Sequence, residues 1–146
     1  MSVFGALDVS ATGMTAQQLR MDTISENIAN VNTTRGKDGK PYKRKTVLFE
    51  EKSYPSFSES LSVANRHNIG KGVKASKIVE DNSEGSKVYD PSHPDADEDG
   101  YVTYPNVNTV TEMTNMIDAT RAFEANVTVM NSTKGMALKA LDIGQS

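Results

Sequence analysis

At 146 residues the chain suffices for one domain, or for a small domain with long extensions; only 36% of it is hydrophobic and it lacks Trp, which excludes a large conventional core. A formal net charge of −3 argues against general affinity for nucleic acid or an anionic membrane surface. The absence of Cys excludes disulfides, thiolate metal sites and cysteine nucleophiles.

The N-terminus, MSVFGALDVSATGM, has neither a basic start nor an apolar stretch of about 7–15 residues, so no cleavable secretory signal is expected. No run approaches the roughly 20 apolar residues of a membrane span, and direct membrane insertion is not expected. A first helix is predicted from Val3 to about Asn30. Leu7, Met14, Met21 and Ile28 recur every seven residues, with Ile24 and Val31 three further on. That repeat draws one apolar stripe along a helix and asks for a helical partner. Asn27, Asn30 and Asn32 crowd its end, where Asn is a poor helix former and a good terminator.

Residues 35–100 differ sharply, carrying all but one of the prolines and most of the charge. Asp38-Gly39 signals a turn before a strand over Tyr42–Phe49 with a basic start. Val73–Val79 alternates as a second strand, and Ser86–Tyr89 and Tyr101–Tyr104 are short candidates. The basic cluster Lys37, Lys40, Lys43, Arg44 and Lys45 is expected to be a solvated strand face, with an acidic patch on a neighbouring subunit as a possible partner.

A second long helix is predicted from Thr109, with Thr109 and Glu112 as a T-x-x-E capping box, to about Leu141, stopping at Gly144 and interrupted by Gly135. Met113, Val127 and Leu141 share one multiple of seven, and Met116, Phe123, Met130 and Ala137 fall three beyond. An antiparallel pairing of the two ends would set Leu7 against Leu141 and Gly13 against Gly135. The expected fold is mainly α with a small β-containing middle, the long terminal helices pairing as an antiparallel coiled coil. Residues 1–34 and 107–146 supply its helices, and residues 35–106 form a β-rich, loop-rich outer segment. The assembly interface is assigned to Leu7, Met14, Met21, Ile24, Asn27, Ile28, Asn30, Val31 and Asn32 on the first helix. On the second it is assigned to Met113, Met116, Ile117, Phe123, Val127, Met130, Leu138 and Leu141.

Chemical motifs are weak. Asp95-x-Asp97-x-Asp99-Gly100 is the first half of a calcium loop, but position twelve is Asn106 instead of Glu and no helix pair flanks it. Gly70-Lys-Gly72 lacks the spacing of a phosphate loop. His67 and His93 lie apart in polar loops without a ligand spacing. Neither an active site nor a cofactor is indicated.

The run Ile24-Ser-Glu-Asn-Ile-Ala-Asn-Val-Asn-Thr-Thr34 closely resembles the N-terminal motif of the bacterial flagellar rod and hook proteins. Gly39–Phe49, Asp90–Asn108 and Asn115–Asn126 fit the same family, and the short middle resembles its proximal rod members. The run departs at Gly36-Lys37, where many relatives carry an aromatic after the glycine. The resemblance implies a non-enzymatic subunit of the flagellar drive shaft that needs no cofactor and polymerises to transmit torque. Its implied partners are other rod proteins, the adaptor between rod and MS ring, copies of itself, and the flagellar type III export apparatus. It implies a location in the periplasmic rod of the basal body, reached without a cleaved signal. Two rival readings are a calcium-responsive module at Asp95, Asp97 and Asp99, and a helical-hairpin component of another type III secretion system.

Overall fold

The computed structural model describes residues 3–36, 38–52 and 72–144. Two long helices, α1 (Val3–Ala29) and α2 (Thr109–Ile143), bracket two antiparallel two-stranded sheets. Strand β1 (Lys45–Glu51) pairs with β2 (Val73–Glu80), and β3 (Lys87–Tyr89) pairs with β4 (Tyr101–Thr103). The architecture is mainly helical, as expected, and α1 packs against α2, β1 and β2. Strand β1 starts at Lys45 and not at Tyr42. The Lys-Arg start of the predicted strand lies instead in the irregular segment that leads into it. Gly70 and His67 lie outside the described residues.

The helices run antiparallel: Asn27 meets Glu112, Met21 meets Thr120 and Gly13 meets Asn126. This overturns the expected register. Gly13 lies at the level of Asn126, nine residues from Gly135, or about 13 Å along the helix. Leu141 is 64% exposed and does not face Leu7. The cause is local. A Cβ on Gly13 would stand 2.9 Å from Asn126 Oδ1, so the glycine admits an amide, not a second glycine. Gly135 has nothing near it and leaves α2 uninterrupted.

The seam explains why. On α2 the inward residues are Glu112, Met116, Ala119, Phe123, Asn126, Met130, Thr133 and Ala137, spaced alternately by four and three. Met116, Phe123 and Met130 were expected there, but the other row of the stripe is small or polar. Met113 is 56% exposed, Leu141 lies outside the seam and Val127 is half-buried. On α1 the buried residues are Ser10, Ala16, Thr23, Ile24 and Asn27. Buried hydroxyls are tolerable because each bonds back along its own helix, Ser10 to Ala6 O (3.1 Å), Thr23 to Leu19 O (2.9 Å) and Thr133 to Val129 O (2.9 Å). One row of the seam is thus small or polar and the other is Met116, Phe123 and Met130, while further large apolar side chains lie outside it.

The capping box does not form. Asn108 is the N-cap of α2, its Oδ1 accepting from Thr111 N at 3.1 Å, and Thr109 is already helical. Glu112 thereby becomes free for a different task.

Candidate assembly interface and the joint behind it

The site begins at the end of α1, in the Asn-rich run. Asn27 is fully buried, and all four hydrogen-bonding positions of its carboxamide are used. Its Oδ1 accepts from Lys45 N (2.9 Å) and from the Tyr42 hydroxyl (2.9 Å), and its Nδ2 donates to Lys45 O (2.9 Å) and to Glu112 Oε2 (2.8 Å). By pairing with both the N–H and C=O of Lys45, the side chain acts on β1 as a neighbouring strand would.

Glu112, 1% exposed, completes the joint. Its Oε1 accepts from Arg44 Nε (2.9 Å) and lies 2.9 Å from Arg44 Nη2. A carboxylate this deeply buried requires such a partner and further hydrogen bonds to persist as an ion. Asn106 extends the joint: its Oδ1 accepts from Arg44 N (2.9 Å), and its Nδ2 donates to Asp81 O and Ser83 Oγ. Four chain segments thus meet at one point.

This corrects the reading of the basic cluster. Arg44 binds Glu112, Lys45 pairs with Glu26 at 2.6 Å, and Lys43 donates to Asn82. These cations hold the chain to itself, and Lys37 lies outside the described residues. Sequence reasoning missed Tyr42, Arg44 and Asn106, and assigned Glu112 to a cap. The available signal was the Asn on either flank, since a buried carboxamide needs polar partners brought from elsewhere.

Burial, with the nearby Glu26, Glu112 and Glu80 carboxylates, pushes the Tyr42 phenol up to about 12. Below pH 10 the phenol is protonated in both folded and unfolded chains. Between about 10 and 12 the unfolded phenol ionises first, so the folded state binds more protons and stability falls as pH rises. Tyr42→Phe should flatten this alkaline limb in pH-dependent urea melts, while costing about 1 kcal/mol at neutral pH for the lost bond to Asn27.

The remaining motif residues shape the exit from α1. Asn30 Nδ2 donates to Glu26 O, Thr33 Oγ1 donates to Asn30 Oδ1, and Thr34 Oγ1 donates to Asp95 Oδ2 at 2.8 Å. Arg35 pairs with the same carboxylate at 3.5 Å. Asp97 Oδ1 accepts from Asp99 N and Tyr101 N. Asp95 and Asp97 therefore brace the loop, and among the described residues no three His, Asp or Glu converge on a metal position.

Of the assigned interface residues, Ile24 and Asn27 are buried; Leu7, Met14, Met21, Ile28, Asn30, Val31, Met116, Phe123, Val127 and Met130 are half-buried. Asn32, Met113, Ile117, Leu138 and Leu141 are exposed. The set divides into an intramolecular seam and an outward face. Among the described residues sixteen large hydrophobic side chains are exposed, against five buried hydrophobic residues of which two are alanine, so the apolar surface mostly faces outward. No described helix is long and apolar enough to cross a membrane.

Residues 7–37 match the family described as flagella basal body rod protein, and residues 98–143 match flagellar basal body rod FlgEFG protein C-terminal. The chain is 49% identical to the flagellar basal-body rod protein FlgC of Bacillus subtilis, over 99% of this chain and 100% of the relative. It is 45% identical to FlgC of Borreliella burgdorferi over 99% of each chain. FlgC of Escherichia coli O157:H7 is 36% identical over 99% of this chain and all of the relative.

Proposed function

We propose a mechanical role on the premise that this chain belongs to the FlgC family of flagellar basal-body rod proteins: it is a structural subunit of the bacterial flagellar rod. One observation carries the physical side of this reading. Small and hydroxyl-bearing residues alternate with Met116, Phe123 and Met130 between the paired helices, while other large apolar residues such as Val110, Met113, Ile117 and Leu138 stay uncovered. A solitary globular chain would cover them.

In this reading residues 1–34 and 107–146 form the inner helical layer, paired as a coiled coil along the four-and-three-spaced seam. Residues 35–106 form the outer layer, and the Asn27–Glu112–Arg44 joint passes load between the two. The outward face meets other rod proteins, the adaptor between rod and MS ring, and further copies of the chain. Export follows the flagellar type III route without a cleaved signal, and the subunit sits in the proximal, periplasmic part of the rod. Torque transmission asks for many modest contacts between long elements, which such a face supplies.

Deletion of the gene in a flagellated host tests the reading. Cells should lose motility and external hooks, and complemented cells should yield basal bodies containing the chain. Motile deletion cells would overturn it.

A further inference from the structure

The chain has seven methionines but neither Cys nor Trp, so thioethers are its softest and most readily oxidised side chains. Met1 lies outside the described residues, and the other six all sit on α1 or α2. Their surroundings differ. Met14, Met21, Met116 and Met130 are half-buried, and Met21 Sδ lies 3.5 Å from the Thr120 hydroxyl between the helices. Met113 and Met136 stand apart, at 56% and 65% exposure, and neither belongs to the seam. Met113 also shares one uncovered stripe with Val110 and Ile117, which stand at i, i+3 and i+7 as Val110, Met113 and Ile117.

We propose that Met113 and Met136 are the oxidant-reactive sites of the folded chain, and that a sulfoxide at Met113 blocks assembly; the second half rests on the rod reading. The oxidant is a peroxide. The thioether sulfur attacks one peroxide oxygen, and an S–O bond forms as the O–O bond breaks. With hydrogen peroxide the second oxygen takes up the proton of the first and leaves as water. Sulfur gives up two electrons, and the peroxide gains them. The product is a polar sulfoxide, which a dithiol can return to the thioether with release of water and formation of a disulfide. At Met113 this change strands no buried group, so the monomer keeps its fold. A neighbour packing over the stripe must now desolvate a strong acceptor where it met an apolar side chain. The four half-buried thioethers react later, because peroxide reaches them only when the helix pair opens.

The assignment is tested on the purified chain with dilute hydrogen peroxide, read site by site by tandem mass spectrometry. Met113 and Met136 should oxidise about fivefold faster than Met14, Met21, Met116 and Met130, and urea-unfolded chain should lose the difference. The urea melt of chain oxidised at those two sites alone should match that of untreated chain. Equal rates at all six sites of the folded chain, or a displaced melt, would overturn the assignment. The assembly half is read with Met113→Gln, whose amide imitates the polarity of the sulfoxide. Its melt should match wild type, while basal bodies per cell fall about tenfold in a host carrying it as the sole copy. Wild-type numbers of basal bodies, or an unfolded variant, would overturn the block at Met113 and leave the rod reading standing. Absence of the wild-type chain from basal bodies would instead overturn the rod reading itself.

Discussion

Asn27→Ala is expected to destabilise the chain by about 4 kcal/mol, enough to unfold much of a protein with so small a core. The magnitude follows from what is left behind. Removing the carboxamide strands Glu112 Oε2, the Lys45 N–H and C=O, and the Tyr42 hydroxyl, all around a fully buried position. Each unmet buried group costs about 1–3 kcal/mol, offset in part where water enters the space vacated. Asn27→Asp separates hydrogen bonding from volume, because it conserves shape and replaces a donor by an acceptor. The new carboxylate would face Glu112 Oε2 at the position where Nδ2 now donates over 2.8 Å, and would also face Lys45 O. Like charges that close in a buried site repel strongly. The expected order of stability in urea melts at neutral pH is therefore wild type, then Asn27→Ala, then Asn27→Asp. Equal stability of all three proteins would show that the joint contributes nothing.

This joint also marks the limit of what sequence reading reached. Both helices were legible because heptad-spaced Met, Leu, Ile and Phe persist over many turns, and their observed ends lie within two residues of the expected ones. The four strands were legible from alternation and turn residues. The partners of Asn27 were not, because Glu112 lies 85 residues away and reaches Arg44 across 68. No local pattern announces such pairs. The inner row of α2 was misread for a different reason. Ala119, Asn126 and Thr133 carry no hydrophobic signal, and what fits them to a seam is small size and back-bonded polar atoms. The large apolar residues beside them drew the assignment instead, and several of these face outward. That error of one position on the helix matters, since it separates a residue that holds the monomer together from one available to a neighbour.

Met113→Asp with Ile117→Asp should abolish motility and rod assembly while leaving the monomer's melt unchanged within about 0.5 kcal/mol. Both residues are more than half exposed, at 56% and 53%, and neither belongs to the buried seam. Replacing them therefore leaves no cavity and strands no buried partner. Ile28 and Val127 are poorer choices, because they are half-buried and a loss of assembly there could reflect a weakened monomer. In the polymer the balance reverses. Packing an apolar helix face over two carboxylates requires their desolvation without a paired charge, at several kcal/mol per contact. The cost recurs at every subunit interface using this face, so a contact of modest affinity is lost outright. Far-UV circular dichroism and urea melts check the first half of the prediction, and swimming assays with electron microscopy of basal bodies check the second. Normal swimming by the double variant would mean that the exposed stripe of α2 is not an interface. Unfolding of the purified variant would mean that the stripe belongs to the core after all. A folded but non-motile variant is the one outcome that places the apolar surface of this chain in the contacts between subunits.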